Sequence, residues 1–109
     1  MSAISKFETI GRLLQKYGIL LTSHQQKVME RYYFYDLTMQ EIAEEEHITR
    51  SAVSEVIKQS LEKLSEFEEK LQLLRLDEDI ELLLDQLEHD SSDRNKIINQ
   101  IRDKLKHGI

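Results

Sequence analysis

Apolar residues return along this chain at steps of three and four, the spacing of one helix face. Ile4, Phe7, Ile10, Leu14 and Tyr17 form the first stripe, and Gly18 follows where a glycine commonly ends a helix. The second pattern opens with Thr22-Ser23-His24-Gln25. In that box the threonine hydroxyl accepts from the third helical amide while the glutamine reaches back to the threonine N–H. Its stripe is Val28, Met29, Tyr32 and Tyr33. A second box, Thr38-Met39-Gln40-Glu41, starts a short helix that carries Ile42 and Ala43 inward. His47-Ile48-Thr49 then breaks the pattern, with Thr49 placed to cap the next helix.

The fourth pattern runs from about Arg50 to Leu74. Val53, Ile57, Ser60, Leu64, Phe67, Leu71 and Leu74 alternate steps of four and three, a heptad seam. At about 1.5 Å per residue the helix would extend roughly 37 Å, beyond what a small three-helix core covers. Its distal half therefore needs a partner, and Leu64, Phe67, Leu71 and Leu74 are expected to meet a second copy in a homodimer. A fifth helix near Glu78–His89 offers Ile80, Leu83, Leu84 and Leu87, with Asp77 as its N-cap. A sixth near Asp93–His107 offers Ile97, Ile98, Ile101 and Leu105, with Gly108 as its stop. Ser91-Ser92 is the polar break between them. The expectation is an all-α single domain over 1–109: a first helix in 1–21, a core in 22–74 and a helical pair in 75–109.

Composition supports helices and narrows the chemistry. The 109 residues include no proline, no cysteine and only three glycines. Without cysteine there is no disulfide scaffold, thiol nucleophile or thiolate-bound metal, and the cytoplasm is the default compartment. No apolar run reaches the length of a membrane span, and Met1–Gly18 carries no secretory h-region. The formal charge of −6 argues at first sight against nucleic acid, but it is unevenly spread. Residues 75–91 hold Arg75 against seven acids, whereas residues 92–109 hold five basic residues against two acidic ones. These blocks can attract each other within one chain or between chains.

The most informative stretch is Leu37 to Ile57, LTMQEIAEEEHITRSAVSEVI. A short helix with a small residue at the crossing, Ala43, leads through a tight turn plugged by Ile48 into a capped second helix. That is the pattern of a helix-turn-helix, whose second helix enters the major groove with its N-terminal residues outward. The outward positions are Thr49, Arg50, Ser51, Ser54, Glu55 and Lys58, with Lys27 and Arg31 as flanking cations. Arg50 and Lys58 suit phosphate or guanine, the serines suit phosphate or either base type, and Glu55 can accept from cytosine N4.

The run LTSHQQKVMERYYFYDLTMQEIAEEEHITRSAV resembles the domain-4-type helix-turn-helix of sigma factors. It is still more similar to the YlxM family, small bacterial helix-turn-helix proteins linked to the signal recognition particle. Tyr32-Tyr33, Asp36-Leu37-Thr38, Glu41-Ile42-Ala43-Glu44-Glu45, Arg50 with Ala52-Val53, and the continuation SLEKLSEFEEKLQLL carry the likeness, which is specific over residues 21–74. It implies a helix-turn-helix with a sigma region 4-like or winged-helix-like three-helix core, an extended recognition helix and two C-terminal helices. It also implies a cytoplasmic protein classed as DNA-binding and associated with the signal recognition particle protein, its receptor or its RNA. Members of the family usually have Gly or Asn where His47 stands, at a turn position near the left-handed region, and an apolar residue where Glu46 stands. Either Glu46 reaches out of the interhelix space or this hairpin packs more loosely. Glu55 and Lys58-Gln59 are also less basic than the corresponding family stretch.

Other constellations carry no chemistry. His24, His47, His89 and His107 lie too far apart for a local metal pair. Asp77, Asp79, Glu81, Asp85 and Glu88 fall on calcium-loop offsets, but Leu82 occupies the position that requires glycine. With no nucleophile arrangement and no phosphate-cradling glycine loop, neither catalysis nor a cofactor is expected.

Overall fold

The computed structural model describes residues 3–89 and 93–107; it says nothing of the side chains of residues 3–5. Ser91-Ser92 and Gly108 lie outside the described residues. Those described form six helices and no strand: α1 (Ala3–Tyr17), α2 (Ser23–Tyr33), α3 (Met39–Glu46), α4 (Arg50–Leu71), α5 (Leu73–His89) and α6 (Arg94–His107). The all-α helix-turn-helix architecture is the one the hydrophobic pattern predicts. The chain packs as two compact units, 1–67 and 68–109, which part within α4.

The first unit has a continuous apolar interior. Leu14 and Tyr17 from α1, Leu21 from the turn after it, Val28 and Met29 from α2, Ile42 and Ala43 from α3, and Val53, Ile57 and Leu64 from α4 are all buried. Fully burying such side chains contributes about 1.5–3 kcal/mol each. Ser60 joins them at no polar cost, because its hydroxyl donates to the Val56 carbonyl at 2.7 Å.

Both predicted capping boxes form. Thr22 Oγ1 accepts from the Gln25 amide at 3.2 Å while Gln25 Oε1 accepts from the Thr22 amide at 3.1 Å. Thr38 and Glu41 repeat the exchange at 3.1 and 2.9 Å. Backbone and side-chain hydrogen bonds from Thr38 lower the Glu41 pKa. Gly18 departs from its expected role. No glycine among the described residues has a positive φ, and Gly18 begins a 3-10 turn, Gly18–Leu20. What it supplies is room, since an added Cβ would sit 3.3 Å from Leu14 Cδ1.

Non-glycine residues make the sharp reversals instead: Asp36, His47 and Gln72 have φ of 57°, 57° and 53°. At His47 the turn is closed by the Ile48 amide, which donates to the Ala43 carbonyl at 3.0 Å, the six-to-one bond of a Schellman ending. At Gln72 the seam is cut three residues before the expected helix end at Leu74. Glu68 secures that break: its carboxylate accepts from the Leu74 and Arg75 amides at 3.0 and 3.1 Å. The start of α5 is thus capped by Glu68 and not by Asp77, which lies inside the helix.

The turn after α3 is tied back to α2 through Glu46. This carboxylate pairs with Arg31, and with Lys27 at 3.3 Å, while Arg31 also reaches Glu45 at 3.9 Å. Glu46 does not reach out to solvent as the first expectation has it: its side chain is only 15% exposed and is neutralised where α3 meets α2. Desolvation raises its pKa, but the hydrogen bond and charge of Lys27, with the charges of Arg31 and His24, outweigh this and leave it lowered.

Two outcomes follow. His47→Gly should raise the urea unfolding midpoint by the equivalent of about 0.5–1 kcal/mol, because glycine adopts the left-handed conformation without a Cβ penalty, its looser unfolded chain giving back part of the gain. A lower midpoint would mean that the imidazole contributes contacts worth more than the strain. Glu46→Gln should lower the midpoint at pH 7. A carboxyl whose folded pKa is depressed contributes stability above its unfolded pKa and loses it as the pH falls through the lower, folded one. The gap between parent and variant should therefore close below the ordinary glutamate value of about 4.3, as urea titrations from pH 7 to pH 3 would reveal.

Candidate nucleic-acid interface

The left-handed residue His47 sets where α4 begins, and Thr49 sets how. Thr49 Oγ1 accepts from the Ala52 amide at 3.0 Å, and the Thr49 carbonyl accepts from the Val53 amide at 3.1 Å. From that cap the 3.6-residue period carries Val53 and Ile57 into the core, where they are 0% and 5% exposed. Ser51, Ser54, Glu55 and Lys58 consequently fall on the other side and are exposed. Thr49 and Arg50 lie on the buried stripe's side by period but are exposed because the helix begins there, so the six sequence-predicted positions gather at the exposed N-terminal end of α4.

Their chemistry is mixed. Thr49 has its acceptor committed to the cap and keeps its O–H as a donor. Glu55 Oε1 accepts from Gln59 Nε2 at 3.3 Å. Arg50 and Lys58 bring two cations against one carboxylate. The expected flanks, Lys27 and Arg31, are both engaged by Glu46, so they are less available to phosphate than the sequence suggests.

One neighbour of this end of α4 escaped the sequence. Arg50 lines an open cleft of about 360 Å³ with Phe7, Tyr32, Asp36, Leu37, Thr38 and Met39. The Phe7 ring lies 4.9 Å from that of Tyr33, tilted by 46°, and Tyr33 meets Tyr32 edge-on at 5.0 Å. Burial, and then the neighbouring Tyr32, raise the Tyr33 pKa. Phe34 and Tyr35 of the same aromatic run stand exposed at 41% and 70%. Periodicity assigns Phe7 to an inward stripe but cannot say that this stripe ends beside Arg50.

The residues expected at a dimer seam fare differently from one another. Leu64 is 0% exposed and covered by its own chain, so it has no surface to give a partner. Phe67 is half-buried with its ring 6.0 Å from that of Tyr17. Leu71 and Leu74, also half-buried, belong to the second unit and lie on either side of the Gln72 break. No cluster of metal-ligating side chains occurs among the described residues, and none of the described helices is long and apolar enough to cross a membrane.

Comparison with known proteins agrees with this architecture. A family model described as "UPF0122: Putative helix-turn-helix protein, YlxM / p13 like" matches residues 4–104. A UPF0122 protein of Listeria innocua is 37% identical over 100 residues, covering 92% of this chain and 91% of its own. One from Clostridium kluyveri is 37% identical over 101 residues, 89% of this chain and 88% of its own. Another from Desulforamulus reducens is 42% identical over 71 residues, 65% of this chain and 61% of its own. The chain belongs to the UPF0122 family of YlxM/p13-like helix-turn-helix proteins.

Proposed function

We infer that this protein is a cytoplasmic, non-enzymatic regulator that binds duplex DNA by laying the first three turns of α4 in the major groove. The observation that carries this reading is the exposed group of Thr49, Arg50, Ser51, Ser54, Glu55 and Lys58, presented by the start of a capped helix directly after a left-handed turn. Arg50 and Lys58 contact phosphate or guanine, Glu55 accepts from cytosine, and the hydroxyls fix register on the backbone. One copy supplies about two to four phosphate contacts, so binding is weak and falls steeply with salt. A homodimer doubles those contacts and would place two recognition helices on half-sites about 34 Å apart.

A second reading is favoured by the engagement of Lys27 and Arg31 with Glu46, which leaves few cations for phosphate. Here the protein is an accessory module for a signal recognition particle component, the partner class that the family resemblance suggests. Its acidic surface would steer it toward a basic protein more than it would add affinity.

Titration at two salt concentrations against random duplex DNA, the purified particle protein, its receptor and its RNA separates the two. On the DNA reading, duplex binding appears at low salt and Arg50→Ala weakens it about tenfold, within the 1–3 kcal/mol of a good arginine contact. Saturable binding to a particle component, insensitive to Arg50→Ala and with no duplex binding at low salt, would establish the second reading and eliminate the first.

A further inference from the structure

The second unit is a helical hairpin with too little interior of its own. Asp79 meets Lys104 at 3.4 Å, and Gln72, Arg75 and Leu76 line one groove with Asp103 and His107. The start of α5 therefore lies beside the end of α6, and the helices run antiparallel. Yet no residue of α5 is buried, and α6 buries only Ile97. A helix pair that buries one side chain lacks the second layer on which a stable core depends.

Leu82, 61% exposed, stands alone on the far flank of α5, but the other uncovered apolar residues fall together. Asp79, Lys104 and Ile97 mark the sides on which the two helices face each other. One step round α5 at its 3.6-residue period comes Leu84, 40% exposed, bordered by Glu81 and Glu88. The matching step round α6 brings Ile98, half-buried, and Leu105, 63% exposed, bordered by Arg94 and Arg102. Because the helices are antiparallel right-handed coils, both flanks emerge on the same face of the hairpin. That face is apolar along its middle, acidic along α5 and basic along α6. From Leu73 to His89 there is one basic residue against six acidic ones, and from Arg94 to His107 there are five against one.

Such a face is complementary to itself in one orientation. Two hairpins stacked face to face can be related by a two-fold axis across the helices or along them. The first lays α5 on α5 and α6 on α6, acid on acid and base on base. The second lays each α5 on the α6 of the other copy, antiparallel, and keeps every residue at its own level. Asp79 is level with Lys104, so antiparallel counting sets Glu81 level with Arg102, Glu88 level with Asn95 and so next to Arg94, and Leu84 between Ile98 and Ile101. We propose that this face of the α5–α6 hairpin docks a second copy of the chain as a four-helix bundle, each α5 seated on the other copy's α6, with Glu81 opposite Arg102 and Glu88 beside Arg94 of the second copy. The arrangement has the short-loop antiparallel neighbours of ordinary bundles and covers Leu84, Ile98 and Leu105. Its two-fold is isologous, as a closed dimer requires.

The test uses the full chain. Sedimentation equilibrium between about 1 and 100 µM, the range in which modest interfaces associate, is expected to show a dimer. Glu81→Arg with Glu88→Arg should raise its dissociation constant tenfold or more, and adding Arg94→Glu with Arg102→Glu should restore it, as charge complementarity dictates. Helicity by circular dichroism identifies a variant that has merely unfolded. A second measurement does not depend on those variants. The chain has no cysteine, so single-thiol Glu81→Cys and Arg102→Cys chains can be mixed and oxidised. A mixed disulfide in excess of what random pairing of the two thiols would give supports the proposal, and a merely statistical mixture overturns it. A monomer at every concentration, a dimer indifferent to the charge changes in folded variants, or a dominant homotypic Glu81→Cys product would overturn it.

Discussion

The left-handed turn at His47 is the constraint on which the rest depends. Ile42 in α3 and Val53 in α4 are eleven residues apart, about three full turns at 3.6 residues each, so the two apolar stripes are in phase. Continued without interruption, α3 and α4 would make one long rod with a single stripe. Placing His47 at φ 57° reverses the chain, and the Thr49 cap restarts it, so both stripes bury in one interior and the opposite side of α4 is left exposed. A non-glycine residue in this region costs on the order of 1 kcal/mol. The cost is offset locally by the Ile48–Ala43 bond and the Thr49 cap, each about 1 kcal/mol.

Glu46, immediately before the turn, shows how stability and surface chemistry compete. Its carboxylate stands at the edge of the α2–α3 contact, where an apolar side chain would pack inward, and holds Lys27 and Arg31 of α2. The pairing fastens the end of α3 just where the chain must reverse. It also engages two of the cations that a nucleic-acid surface would use. The same is true on a smaller scale of Thr49, whose hydroxyl oxygen serves the cap before it can serve a ligand.

The elements legible in the sequence were those fixed by local chemistry. Both threonine boxes, the Thr49 cap, the turn at His47 and the outward face of α4 follow from residues within about one helical turn of each other. What the sequence obscured depends on distant groups. The seam Phe67, Leu71, Leu74 reads as continuous helix because neither glycine nor proline marks the break. The α5 cap comes from Glu68, four residues before the left-handed Gln72. Gly18 resembles a left-handed stop but is a packing position, a distinction that only the proximity of Leu14 reveals. Phe7 beside Arg50 joins residues of α1 and α4, a juxtaposition that no local pattern specifies.

Charge therefore works at two levels in this acidic chain. On the first unit the cations of α2 are held by Glu46, which leaves Arg50 and Lys58 as the basic residues at the exposed start of α4. On the second unit acids and bases are segregated onto consecutive helices, and Asp79 bridges to Lys104 between them. An isolated hairpin would gain little from that segregation, since exposed ion pairs contribute at most about 1 kcal/mol each. Its use is orientational: like charges on one helix and opposite charges on its neighbour penalise one stacking of two hairpins and permit the other. Weak attraction within a chain thus becomes discrimination between alternative assemblies, where the repulsion in the wrong arrangement matters more than the attraction in the right one.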